Sequence, residues 1–140
     1  MLRTRPPAVP LDYSLCNQTV TVYHMDRATK TVYRWVIEGA HFEWRRDNKL
    51  GKTGNTETNS FLLVIPQSSR RWVPPAQLAG APDAYTLENQ DKVFLGVGPE
   101  VAPPPQDWVG LIPAKVHGLV VVNQVAPKYW RGAVCHLEAS

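Results

Sequence analysis

A chain of 140 residues with 44% hydrophobic and 19% charged residues holds one ordinary domain with a real core. That balance excludes a disordered segment and leaves little room for a second core. The net charge of +3 permits contact with nucleic acid or an acidic protein face, but falls far short of a dedicated DNA-binding surface.

Thirteen prolines and nine glycines, scattered and not repeated, predict short elements and many turns. Residues 1–14 read as an extended arm, because Pro6, Pro7 and Pro10 lack N–H donors and bias their predecessors away from helix. The opening "MLRTRPPAVP" has no signal-peptide apolar run, and no segment approaches the roughly 20 apolar residues of a membrane span. Maturation in the cytoplasm, away from membranes, is the expectation.

"QTVTVYHM" (18–25) alternates Val20 and Val22 with Thr19 and Thr21, the period of a half-buried strand. "DRATK" (26–30) is a polar turn, and "TVYRWVI" (31–37) completes a hairpin. "HFEWRR" (41–46) alternates again, with Phe42 and Trp44 on one face. A glycine-rich polar loop follows at 47–59, and "SFLLVIP" (60–66) is a short apolar strand ended by Pro66. "PPAQLAG" (74–80) predicts one helical turn, with proline at its start and Gly80 at its end. A glycine-interrupted strand is predicted at 91–101 and a stiff connector at "APPPQDW". Two late strands, 118–127 and 130–139, flank a proline-containing turn. Short strands at regular intervals, without helical periodicity, predict an all-β fold: a small β-barrel or sandwich over 15–140, with the arm and the long inter-strand loop attached.

The loop contains Gly51-Lys52-Thr53, the end of a phosphate-binding loop. The first glycine of that motif would fall on Arg46, and a strand follows Thr53 where the motif requires a helix N-terminus. Nucleotide binding is therefore not expected. His24, His41, His117 and His136 are singletons without metal-ligand spacing, so no metal and no cofactor are predicted. The twelve carboxylates are scattered and no nucleophile motif is present, so no catalytic residue and no enzyme activity are expected. Cys16 and Cys135 read as two reduced thiols. Arg45, Arg46, Lys49 and Lys52 form a basic cluster, with Arg70 and Arg71 following the 60–66 strand, and such lysines can track a phosphate backbone without reading its sequence. Trp72, Trp108 and Trp130 fit either stacking platforms or buried anchors.

The order "TVTVYH", "YRWVIEGAHFEW", glycine-rich loop, "SFLLVIP", "WVPPAQLAG", "YTLENQDKVFLGV" and "GLVVVNQVAPKYWRGAVCHLEAS" resembles a family of head–tail connector proteins. These are encoded in the minor capsid gene cluster of long-tailed phages. Tyr85-Thr86-Leu87 stands where that pattern has a tryptophan-led triplet, Gln90-Asp91 where it has Gly-Asp, and Cys135-His136-Leu137 near its His-Trp. The resemblance implies a head-completion, stopper-type neck protein of the virion, assembled in the host bacterial cytoplasm. Such a chain forms a homo-oligomeric ring between the portal or adaptor protein and the tail-terminator or tail proteins. It helps retain packaged double-stranded DNA non-specifically. Arg45, Arg46, Lys49 and Lys52 would then face the channel, and Arg3, Arg5, Pro6, Pro7 and Pro10 would dock the arm on a neighbour. The alternatives are a tail-terminator ring protein and a monomeric oligonucleotide- or carbohydrate-binding β-barrel module.

Overall fold

The computed structural model describes residues 13–51, 54–100 and 119–140, with the backbone alone for 45–51 and 54–60. The fold is all-β, as the sequence predicts. Its strands are β1 (Gln18–Asp26), β2 (Thr31–Gly51), β3 (Gly54–Pro66), β4 (Lys92–Leu95), β5 (Leu119–Val121), β6 (Val125–Trp130) and β7 (Ala133–Ala139). They form one curled antiparallel sheet in the order β5-β4-β1-β2-β3-β7-β6. A 3-10 turn at Pro75–Gly80 stands where the helical turn is predicted.

The two edge strands are consecutive in the chain, separated only by residues 122–124. Val122 N–H donates to Asp91 O on the β4 side, and Asn123 and Gln124 N–H both donate to Ser140 O beyond β7. One continuous segment therefore ties both ends of the curled sheet together. The interior is filled by Val20, Val22, Ile37, Phe42, Phe61, Leu63, Ile65, Tyr85, Leu87, Val93 and Leu137, which are all buried. Trp72, half-buried, packs against this cluster, so of the two roles open to it the structure shows the anchor.

β2 is one strand where the sequence reads two. Val20 faces Ile37 but Gln18 faces Ala40, so β2 carries one extra residue in a bulge, with Gly39 at φ +81°. The bulge flips the inward parity from odd positions (Trp35, Ile37) to even ones (Ala40, Phe42), so the same face stays in the core. Phe42 N–H donates to the Gln18 side chain at 2.7 Å, beside the irregular pair. Past the bulge β2 leaves β1 and pairs with β3.

The predicted loop 47–59 is corrected by this pairing. The β2–β3 ladder runs without a break from His41–Val64 to Gly51–Gly54, so 47–51 and 54–59 are strand. The register is set at the base, where Phe42 and Phe61 stack at 5.5 Å and Trp44 lies edge-on to Phe42. The backbone ladder then propagates outward through a segment whose threonines suit strands. Apolar alternation, the signal that marks a half-buried strand in sequence, is missing from 47–59, so the pairing there is not legible in the local pattern.

The late strands are also redrawn. The 118–127 segment breaks at 122–124, where it changes partner from β4 to β7. Pro127 lies inside β6, tolerated because β6 is an edge strand with no outer neighbour among the described residues. The turn falls instead at Arg131 (φ 52°) and Gly132 (φ 82°), the two-residue turn with both central φ positive that suits strand twist. The 91–101 strand stops at Leu95. Its continuation crosses β1, where Thr21 donates to Gly96 O and accepts from Gly98 N–H, both at 2.8 Å. Tyr23 donates to Pro99 O at 2.6 Å, and Arg34 reaches Gly98 O and Pro99 O. A Cβ on Gly98 would overlap the Tyr23 hydroxyl, which explains the glycine.

Candidate functional site

Three places carry chemistry, and the first is the ribbon. β1 leaves β2 at Ala40 and β7 leaves β3 at Leu63, so beyond those points the two strands have only each other among the described residues. Seven residue pairs extend past Trp44–Phe61 to Gly51–Gly54, a reach of roughly 20 Å at the usual strand rise. Arg45, Arg46 and Lys49 lie on this extension, paired with Ser60, Asn59 and Thr56. The sequence cluster is thus spread along a ribbon and not gathered in a loop. Lys52 lies outside the described residues, as do Arg3, Arg5, Pro6, Pro7 and Pro10 of the arm and Trp108. Trp44, 48% exposed, marks where the core face ends.

The second place is the anchor of the chain before β1. Tyr13 and His136 on β7 are joined by a 2.8 Å hydrogen bond to Nδ1, with the rings edge-to-face. His136 Nε2 lies 2.9 Å from Glu138 Oε2. An ionised carboxylate can only accept, so in the neutral imidazole Nε2 carries the proton, Nδ1 accepts, and the Tyr13 hydroxyl donates. Burial pushes the Tyr13 phenol well above its ordinary value, with the neighbouring Cys135, Cys16 and Glu138 adding in the same direction. A mostly apolar cavity of about 340 Å³ opens beside this contact, lined by Cys16, His41, Leu62 and Val64 among others. Both cysteines are free thiols, and burial raises that of Cys16.

The third lies at the start of β2, the opposite end of that strand from the ribbon tip. His24 shares the inward parity of Val20 and Val22 and is 3% exposed. Tyr33 and Trp35 face it across the sheet with their rings stacked on one another, at 6.1 and 6.4 Å from the imidazole. The turn before β4 brings two carboxylates to the same imidazole nitrogen. Asp91 Oδ2 lies 2.8 Å from His24 Nδ1 and Glu88 Oε1 lies 4.0 Å from it. The turn is held by reciprocal bonds, Asp91 N–H to Glu88 O and Glu88 N–H to Asp91 Oδ2, with Gln90 at φ 77°. Burial pushes the Asp91 carboxyl up from its ordinary value, against the opposing pull of His24. A cavity of about 360 Å³ adjoins the cluster, lined by His24, Asp26, Tyr33, Glu88 and the 3-10 turn.

Sequence spacing does not reveal this third cluster. His24 and Asp91 are 67 positions apart and meet only because Val22 pairs with Val93 and Tyr23 with Lys92. Continuing that register by one residue sets Asp91 opposite His24. The Glu88-x-x-Asp91 spacing was the available local signal, since a tight turn brings such carboxylates together.

A family model matches residues 15–139, nearly all of the described chain. The chain belongs to DUF6751, a family of unknown function. The DUF6751 match covers every strand from β1 to β7 together with the Tyr85–Asp91 segment. No curated protein and no solved structure matches the chain. Among the described residues, no helix is long and apolar enough to cross a membrane.

Proposed function

We propose that this DUF6751 chain is a structural, non-enzymatic component of a phage neck, a head-completion or stopper-type protein that assembles as a ring in the virion. The observation that carries this reading is the β2–β3 ribbon. A two-stranded hairpin standing alone in water is marginal, and Leu50 is the one large apolar side chain in 47–59. Such a ribbon is favoured when neighbouring copies surround it, as they do around a ring axis. Lys49 and Lys52, repeated around that axis, turn a modest charge per chain into a strong local field for packaged DNA.

The rest of the molecule supplies what a ring subunit needs. Residues 122–124 tie both ends of the sheet, and β6, an edge strand among the described residues, bears Tyr129 at 64% and Trp130 at 36% exposure. Heterologous contacts of one such face with a different face of the next copy close by rotation. The portal or adaptor protein would lie on one side of the ring and the tail-terminator or tail proteins on the other. A place in the tail-terminator ring itself differs only in the neighbours contacted.

The test is a Lys49→Ala, Lys52→Ala double variant carried by the phage. Filled heads that join tails yet lose DNA on storage or at raised salt are the expected phenotype, and unchanged retention would count against the electrostatic gate. The exposed Tyr129 and Trp130 also favour a second reading, a monomeric oligonucleotide- or carbohydrate-binding module. Saturable quenching of tryptophan fluorescence by single-stranded DNA or a sugar, in a protein that sediments as a monomer, would select that reading instead.

A further inference from the structure

We infer that His24, Glu88 and Asp91 form a binding site for a single divalent transition-metal ion, at the opposite end of β2 from the ribbon tip and independent of the ribbon's role.

The donor geometry is the first reason. One ligand atom from each of His24, Glu88 and Asp91 lies within 4.8 Å of the other two. A tetrahedral ion with bonds of about 2.1 Å holds its ligand atoms about 3.4 Å apart. The separations of 2.8 and 4.0 Å from Nδ1 bracket that value, so small side-chain shifts create the site without moving the backbone. Glu88, 40% exposed at its side chain, has the freedom to close the longer gap.

The second reason is proton arithmetic. Nδ1 can present one proton, and Asp91 lies at hydrogen-bonding distance to take it. Glu88 Oε1 at 4.0 Å from the same nitrogen makes no hydrogen bond to it. A divalent ion in place of that proton engages all three donors at once. One imidazole with two carboxylates suits Zn²⁺, Mn²⁺ or Fe²⁺ better than Ca²⁺ or Mg²⁺, which take oxygen ligands throughout. The adjoining cavity leaves room for water in the remaining coordination position.

Surroundings that orient the ligands are the third reason. Asp91 is fixed by the Glu88 N–H bond to its Oδ2, and its backbone carbonyl is held by Val122 N–H. The imidazole is set by Tyr33 and Trp35. Outer contacts of this kind orient ligands in established metal sites.

The experiment is a calorimetric titration of Zn²⁺ into the full chain after chelator treatment, repeated on Glu88→Gln and His24→Gln. One equivalent per chain is expected, weakened by about tenfold or more in Glu88→Gln and abolished in His24→Gln. Circular dichroism checks that both variants fold, and Glu88→Gln, altering a half-exposed group, keeps the test decisive if His24→Gln does not. Zn²⁺ should also raise the thermal midpoint of the parent chain and not of His24→Gln. Absence of Zn²⁺ binding would overturn the inference. So would equal affinity in parent and Glu88→Gln, or binding lost in Cys135→Ser, which would move the ion to the Cys135–His136 region. Each of these outcomes is independent of DNA retention, so failure here leaves the neck reading standing.

Discussion

Replacing Gly98 by alanine tests how the segment after β4 is strapped across β1. The new Cβ would overlap the Tyr23 hydroxyl and sit 3.3 Å from Phe94 Cβ. Tyr23 is fully buried and cannot swing into solvent, so its bond to Pro99 O must break or the strap must lift. Overpacking of this kind costs about 2 kcal/mol. The lost hydrogen bond adds about 1 kcal/mol, a modest figure because Arg34 still reaches Pro99 O. Gly98→Ala should therefore destabilise by about 3 kcal/mol. Tyr23→Phe alone should cost about 1 kcal/mol. It also removes the atom that clashes, so the double variant should cost about 2.5 kcal/mol where independent effects would sum to about 4. Urea unfolding followed by tryptophan fluorescence, on all four proteins, yields the coupling. Additive costs, or a Gly98→Ala cost below about 1 kcal/mol, would refute the strap.

Gly39→Ala should destabilise by about 2 kcal/mol in the same assay, because φ is +81° and the Cβ meets Ser69 Oγ. Removing Ser69 by Ser69→Ala relieves the contact but not the backbone, so a residual cost of about 1 kcal/mol should persist. Tyr85→Phe should be neutral or stabilise by about 1 kcal/mol, since this buried hydroxyl finds no partner among the described residues. A clear loss of thermal stability would show that it has one. Tyr13→Phe should speed amide exchange at Cys16, whose N–H donates to Tyr13 O, while exchange in β1 and β3 stays unchanged.

The sequence makes the core legible wherever a strand has one wet and one dry face. Val20 and Val22 of β1 announce themselves by alternation, and the whole all-β class follows from such segments. Legibility fails where a long-range constraint overrides the local pattern. The bulge at Gly39 shifts the phase of β2 by one, so one strand reads as two. Pro127 reads as a turn because its edge position is decided by strand order, which local residues do not encode. The ribbon reads as a loop because 47–59 carries no apolar alternation. The basic cluster was visible as composition, yet the extended backbone that spreads Arg45 to Lys49 was not. His24 reads as a singleton in sequence, and only the β1–β4 register sets it against Asp91.

The neck reading meets its most direct test in particles assembled without the chain. Deleting its gene from the phage proposed to carry it, then imaging the particles and measuring protected DNA, separates the outcomes. Heads that package DNA, fail to retain it and remain tailless are the predicted result. Tailed particles with a full, nuclease-protected genome would contradict it.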